Sequence, residues 1–196
     1  MPCNHRFIQD LYPNHNLKYL FIGTFNPEWD SPKGNDANWF YGRYTNSFWK
    51  ILPETFGHPN LNIINNRQNP KPWKDYCIKN GIGLTDIIQT IKDAKEEEHK
   101  TEILGFQDKH LERFNEVIFT DISNLIIRNS ETLYGVYLTR YCHTLRKNGI
   151  FYKRWTEIEN LCKQNGIHYS CLISPSNGCR VSIAEKVKIW QMKINK

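Results

Sequence analysis

The chain has 196 residues, of which 39% are hydrophobic and 23% are charged, a balance that excludes an intrinsically disordered protein and allows a full hydrophobic core. The formal net charge of +6 favours a polyanionic partner without identifying one, because many enzymes with other substrates are equally basic. No apolar run approaches the roughly 18 residues that span a membrane, so we expect no membrane segment.

The first third of the chain predicts a buried strand, a loop and a helix. Residues 18–25 form an apolar run without alternation, which indicates a central strand buried on both faces. Residues 28–38 are rich in Pro, Gly, Asn and Asp, which predicts a loop. Thr45, Asn46 and Ser47 offer N-cap side chains to a helix that carries Phe48 and Trp49.

The rest of the chain alternates between strands and helices. We expect little regular structure in residues 60–73, where asparagine and proline are frequent, and a solvated loop or helix face in the charged residues 92–100. Further helices are predicted after Thr120 and Asp121, over residues 151–165 before Gly166, and after Ser182; further strands are predicted over residues 133–138 and 167–173, with a short strand or turn near residues 81–88.

This alternation predicts a single domain over residues 1–196, an α/β/α sandwich of three layers around a mostly parallel four-stranded sheet. In such sheets ligands bind beyond the carboxyl ends of the strands. Three polar, glycine-containing or proline-containing segments follow predicted strands there: one beginning at Asn26, one at residues 83–86 and one at residues 174–180. We therefore expect the functional site where these loops meet.

The cysteine pattern predicts free thiols and no metal. The six cysteines never form a C-x-x-C pair and lack the close spacing of zinc and iron–sulfur sites; they are Cys3, Cys77, Cys142, Cys162, Cys171 and Cys179. No secretory leader is visible, so we expect buried thiols in a reducing, cytoplasmic location. We expect neither a metal nor another cofactor.

Two segments carry candidate chemistry. Asn26 ends the first strand directly before Pro27, where an amide can hold a water, although an isolated Asn-Pro pair is more often a turn. Residues 39–49 contain six aromatic side chains beside Gly42 and Arg43, as a pocket for a flat base requires. Phe48 and Trp49 fit core packing better, whereas Tyr41 lies in the loop and fits the pocket.

These segments resemble conserved motifs of the uracil-DNA glycosylase superfamily. Residues 23–27 (G-T-F-N-P) and 41–49 (Y-G-R-Y-T-N-S-F-W) are similar to G-I-N-P-G and F-A-H-P-x-N-R-F-W of the mismatch-specific uracil and thymine DNA glycosylases. Residues 174–182 (S-P-S-N-G-C-R-V-S) resemble the second motif of that branch, N-P-S-G-L-S-R-V-S, without a gap. Residues 81–86 and the spacing of residues 41–49 also resemble the branch that excises hypoxanthine.

The resemblance implies a monofunctional DNA glycosylase of base excision repair, acting as a monomer on duplex DNA that contains a deaminated or mismatched base, most simply uracil or hypoxanthine. It implies that Asn26 positions the attacking water. Glu28 stands where the family motif has glycine; it is a second candidate for activating the water, and a solvated loop carboxylate is an equal alternative. Base binding would fall to the backbone near Phe25, to the ring of Tyr41 and to Asn46, and DNA binding to residues of the third loop. Those residues are Ser176, which would hold a flanking phosphate, Asn177, and Arg180, which would fill the vacated stack.

Two alternatives stay open at this point. A nucleic-acid-binding protein could keep the fold without catalysis, although it would not need Asn26 and Tyr41 at a strand tip. A nucleoside or nucleotide hydrolase could share the scaffold, although the Arg180 loop has no task on a free nucleotide. The sequence contains neither G-x-x-x-x-G-K nor G-x-S-x-G, which argues against a phosphate-binding loop and a nucleophile elbow.

Overall fold

The computed structural model describes residues 1–31, 36–105 and 107–194. Its strands are β1 (Cys3–Asn4), β2 (Tyr19–Gly23), β3 (Ile82–Asp86), β4 (Ile88–Ile91), β5 (Val117–Phe119), β6 (Gly135–Leu138) and β7 (His168–Cys171). Its α-helices are α1 (Phe48–Thr55), α2 (Ile64–Gln68), α3 (Lys71–Asn80), α4 (Glu96–Ile103), α5 (Asp108–Leu111), α6 (Ile122–Arg128), α7 (Ile150–Gln164) and α8 (Ile183–Ile194). Short 3₁₀ turns occur at Ile8–Asp10 and Cys142–Thr144.

A four-stranded parallel sheet forms the centre of the fold, in the order β3-β2-β6-β7. Its register aligns Gly23 at the end of β2 with Asp86 at the end of β3, and Ile22 with Leu138 at the end of β6. Three strand ends therefore meet at one edge of the sheet, as predicted for a ligand site.

Both faces of this sheet are covered, because alternate residues of each strand point to opposite sides. Leu20 and Ile22 of β2 join a hydrophobic cluster with α6, α7 and β4, whereas Phe21 joins a second cluster with α1, α3 and α8. The sequence prediction of a three-layer α/β/α sandwich with a four-stranded parallel sheet is confirmed.

The capping residues seen in the sequence predicted several helix ends correctly. The carboxylate of Asp121 accepts a hydrogen bond from the backbone N–H of Asn124 at the start of α6, and the Ser182 hydroxyl oxygen accepts one from Glu185 N–H at the start of α8. Gly166 adopts φ 64° directly after α7. At α1 the side-chain cap comes from Asn46, whose Oδ1 accepts from Phe48 N–H, while Ser47 makes no capping hydrogen bond.

Two expectations were wrong, and one feature was not foreseen. Residues 60–73 contain α2 and the start of α3, because the lone prolines stand near helix N-termini, where their missing N–H costs nothing. A second, antiparallel sheet of order β1-β4-β5 was not foreseen, since its strands have two to four residues. Cys142 and Cys171 form a disulfide with Cα atoms 5.6 Å apart, so not all six thiols are free; Cys3, Cys77, Cys162 and Cys179 are free.

No helix within the described ranges is long and apolar enough to cross a membrane.

Candidate functional site

A cavity of about 900 Å³ opens at the edge of the sheet where β2, β3 and β6 end. Its lining includes Asn26 beyond the end of β2, Asp86 at the end of β3, and Thr139 directly after β6. Tyr41, Arg43 and residues 45–46 form one wall, residues 174–176 with 178 and 179 form the rim, and part of the α4–α5 region closes the opposite side. The predicted loops that begin at Asn26 and at residue 174 line this cavity, whereas residues 83–86 belong to β3 and only Asp86 of them contributes to the lining.

The floor of the cavity holds a buried carboxylate. Asp86 is 2% exposed, and its Oδ2 accepts hydrogen bonds from His5 Nε2 at 2.8 Å and from Asn26 Nδ2 at 3.0 Å. The other ring nitrogen of His5, Nδ1, accepts from the backbone N–H of Phe7 at 3.0 Å. Because Nδ1 accepts, the proton of the neutral ring lies on Nε2, and the imidazole donates to the carboxylate.

Asn26 is fixed in orientation by partners at both ends of its amide. Its Nδ2 donates to Asp86, and its Oδ1 accepts from Arg43 Nη2 at 3.1 Å. Burial lowers the pKa of the Arg43 guanidinium to about 10, against the opposing attraction of Asp86 and Asp36, so Arg43 is charged at neutral pH. The amide oxygen of Asn26 thus lies beside a cation and keeps one lone pair for a further donor.

Gly23 leaves space at the floor of the cavity for the Asp86 carboxylate and the Tyr41 hydroxyl. A Cβ at position 23 would lie 2.2 Å from Asp86 Oδ1 and 2.8 Å from the Tyr41 hydroxyl. Asp86 Oδ1 and the Tyr41 hydroxyl therefore approach the same point above the end of β2. Only glycine permits this approach without displacing one of the two groups.

Tyr41 forms an ordered aromatic wall. Its ring stacks on Phe48 with centroids 4.0 Å apart and an 11° angle between planes. The Thr139 hydroxyl donates to Ile22 O at 3.1 Å, so the Tyr41 hydroxyl donates to Thr139 Oγ1 at 2.9 Å. Burial, and secondly the Asp86 carboxylate, raise the pKa of the Tyr41 phenol well above its ordinary value. Tyr41 also has φ 57°, a left-handed conformation that a bulky residue adopts only when its contacts enforce it.

The opposite side of the cavity carries an ion pair. Arg140, beyond the end of β6, pairs with the carboxylate of Asp108, and its guanidinium also donates to the Thr144 hydroxyl and to Thr144 O at 3.0 Å each. Burial lowers the pKa of Arg140. The disulfide between Cys142 and Cys171 ties this segment to the end of β7. Among the described lining residues the two carboxylates are Asp86 and Asp108.

The rim loop is held from beneath by a buried lysine. Lys186 of α8 is 2% exposed, and its Nζ donates to Ser176 O at 2.8 Å; burial lowers the pKa of this amine. The Ser176 hydroxyl oxygen accepts from Gly178 N–H at 3.2 Å. Asn177 Oδ1 accepts from the Ser47 hydroxyl at 2.7 Å, which joins the rim to the start of α1.

The structure brings together most of the side chains that the sequence singled out. Asn26, Phe25, Tyr41, Asn46 and Ser176 line the cavity. Asn177 and Arg180 are exposed on the rim segment and do not line it. Their roles, like those of the lining residues, stay predictions.

The structure places Glu28 elsewhere. Its Oε1 accepts from the backbone N–H of Asn4 at 2.9 Å and from Asn4 Nδ2 at 3.0 Å. Glu28 is exposed and is not among the described residues of the cavity lining. The reason is that β1 and the loop after β2 run side by side, with Glu28 N–H bonded to Asn4 O. We therefore assign Glu28 no part in the chemistry.

Sequence reasoning missed His5, Asp86, Thr139 and Arg140. A signal existed for Asp86 and for the pair Thr139 and Arg140, because each follows or ends a buried strand at the predicted edge. His5 gave no signal, since it reaches the site through the pairing of β1 with β4, 86 positions away along the chain at Asn4 and Thr90. Within the described ranges, no group of three or more His, Cys, Asp or Glu side chains could hold a metal ion.

Comparison with known proteins gives a likeness of fold. No protein-family model matches the chain, and no curated protein matches it. Among solved structures, the chain is similar to the solution NMR structure of a putative uracil DNA glycosylase from Methanosarcina acetivorans, with a TM-score of 0.51 and 17% sequence identity over 91% of this chain and 92% of that one. The chain therefore has a uracil-DNA-glycosylase-like fold.

Proposed function

We propose that the chain is a monofunctional DNA glycosylase, which flips a deaminated or mismatched base, uracil or hypoxanthine, out of the duplex and hydrolyses its N-glycosidic bond. One observation carries the proposal: at the strand ends of a uracil-DNA-glycosylase-like fold, a single cavity combines an aromatic wall at Tyr41 with an oriented amide at Asn26. A flipped base needs the first and its hydrolysis needs the second.

The base would occupy the space beside Tyr41. Phe48 already covers one face of this ring, so a base would stack on the other face. Because the Tyr41 phenol is stacked and hydrogen-bonded before any ligand binds, little ordering is required on binding. We assign the backbone near Phe25 and Tyr41 to the base carbonyl, and Asn46 to the edge of the base or to bracing the wall.

The water would be held by Asn26. Arg43 uses one lone pair of the amide oxygen, and the second can accept from a water that approaches the sugar. The charge that develops on the departing base is met by donors in the same cavity, each worth on the order of 3 kcal/mol in the transition state when well placed. The Arg43 guanidinium, which donates a hydrogen bond to the Asn26 amide oxygen, is the nearest full positive charge to that oxygen among the contacts of Asn26.

DNA would lie across the rim loop. We assign Ser176 and Asn177 to a phosphate beside the flipped nucleotide, and Arg180 to the gap that the base leaves in the stack. The hydrogen bonds from Lys186 to Ser176 and from Ser47 to Asn177 hold the loop in place from below. The exposed residues of the loop are therefore presented on a fixed backbone. The net charge of +6 is of the sign that a phosphate backbone attracts.

Excision assays test the proposal directly. Duplex and single-stranded oligonucleotides that each carry uracil, hypoxanthine, a G·T mismatch or no lesion are incubated with the full chain, and abasic sites are cleaved with alkali. We expect strand cleavage with at least one lesion and none without alkali, as a monofunctional enzyme requires. Absence of abasic product with every lesion, from protein that binds the same DNA, would instead support a binding protein that keeps the fold.

A further inference from the structure

We infer that Asp86 is the general base that takes a proton from the attacking water, and that His5 is the residue that positions it. This inference rests on the proposed glycosylase function. It assigns the water-activating carboxylate, which sequence reasoning sought in Glu28, to the end of the neighbouring strand.

The hydrogen bonds of Asp86 leave one oxygen for the water. Both donors, His5 Nε2 and Asn26 Nδ2, converge on Oδ2. Oδ1 lies on the other side of the carboxyl group, above Gly23 and close to the point that the Tyr41 hydroxyl approaches. A water could donate one hydrogen bond to Asp86 Oδ1 and one to the amide oxygen of Asn26. Because both of its protons are then used, its lone pairs would point towards the sugar.

The other candidate carboxylates either form an ion pair or lie outside the cavity lining. Asp108, the second carboxylate of the described lining, forms an ion pair with Arg140. Glu28 bonds to Asn4 outside the lining. The groups bonded to Asp86 are neutral donors, and the charged or titratable groups facing it are His5 from the N-terminal segment and Tyr41 and Arg43 from the wall.

The pair of His5 and Asp86 is buried, and the ring of His5 lies among aromatic side chains. His5 is 1% exposed, and its ring lies within 6 Å, centroid to centroid, of the rings of Phe7 at 5.9 Å, Phe25 at 5.9 Å and Phe40 at 5.4 Å. Buried polar pairs require hydrogen-bond partners, and such pairs are frequent in functional sites.

The step balances with water as the only co-reactant. The water oxygen forms a bond to C1′ of the deoxyribose while one water proton moves to Asp86 Oδ1. The C1′–N bond breaks, its electron pair leaves with the base, and the base takes a proton from solvent. Asp86 then releases its proton to solvent, which restores the carboxylate.

The test uses single-turnover excision by the full chain on the lesion that the wild-type protein removes fastest. We expect Asp86→Asn to lower the rate by about 100-fold or more, with unchanged affinity for a duplex carrying the 2′-fluoro analogue of that lesion, which resists hydrolysis. The exposed Asp75, in an ion pair with Lys71, supplies the matched control Asp75→Asn.

Two further variants separate chemistry from folding. Asp86→Ala should regain excision on addition of formate, a small carboxylate, and not on addition of chloride at equal ionic strength. His5→Phe removes one donor to the carboxylate, so the rate should fall, while His5→Gln, which can still donate, should restore most of the rate. Circular dichroism and thermal unfolding verify the fold of each variant.

The outcomes are distinct. If the wild-type protein excises bases and Asp86→Asn does so equally well, the assignment of Asp86 is overturned and the glycosylase function stands. The assignment is also overturned if Asp86→Asn does not fold and formate fails to rescue a folded Asp86→Ala. If the wild-type protein excises no base, the glycosylase function and the inference fall together.

Discussion

Gly23→Ala tests the geometry of the cavity floor with a single methyl group. The added Cβ would lie 2.2 Å from Asp86 Oδ1 and 2.8 Å from the Tyr41 hydroxyl, so at least one of these groups must move by about 1 Å to restore van der Waals contact. A misplacement of about 1 Å in a catalytic site costs on the order of 100-fold in rate. We also expect overpacking to cost about 1–3 kcal/mol in the free energy of unfolding.

Gly83→Ala is the matched control for that stability cost. Its Cβ would lie 2.9 Å from Leu17 Cδ1 and 3.1 Å from Leu20 Cδ1, in the core beneath the neighbouring strand rather than at the cavity. Urea unfolding and single-turnover excision are measured on both variants. We expect both to lose stability and Gly23→Ala alone to lose excision. A Gly23→Ala protein that excises as fast as wild type would refute the argument that Asp86 and Tyr41 must share this space.

Three other predictions follow from the same site. Asn26→Ala should keep the fold and DNA affinity and lose about 100-fold in single-turnover excision, because the water loses its oriented acceptor; a near-normal rate would remove Asn26 from the chemistry. Excision should continue in the presence of EDTA. A loss of excision in EDTA that addition of one metal restores would contradict the cofactor-free mechanism. Arg180→Ala should reduce excision strongly from duplex DNA, least at mismatches, and little from single strands; equal losses on both would reduce Arg180 to a phosphate contact.

The central strands β2 and β6 could be predicted from the sequence because they are apolar and almost entirely buried. Residues 18–25 admit few interpretations other than a strand covered on both faces, and the observed β2 lies within them. The antiparallel sheet escaped prediction for the opposite reason: β1 has two residues, too few for any periodicity. Its existence depends on pairing with β4, which is a tertiary property.

Only part of the candidate site, too, could be predicted from the sequence. Asn26 and Tyr41 stood out through local context, a strand tip and an aromatic loop, and both line the cavity. Glu28 shared that context and points elsewhere, because the direction of a loop side chain depends on the backbone it pairs with, here Asn4. The contact of His5 with Asp86 joins residues 81 positions apart, a distance at which one sequence contains no pairing information.

The pairing of β1 gives the N-terminal segment a practical importance for work with this protein. Residues 3–5 supply a strand of the second sheet and the imidazole that bonds Asp86, whereas Met1 is 87% exposed. Affinity tags joined at Met1 by a flexible linker have free space, but a deletion that trims the first five residues to improve expression would remove His5 together with β1. Protein made from such a shortened gene could fold around its central sheet and still give a negative excision assay for reasons unrelated to its natural activity.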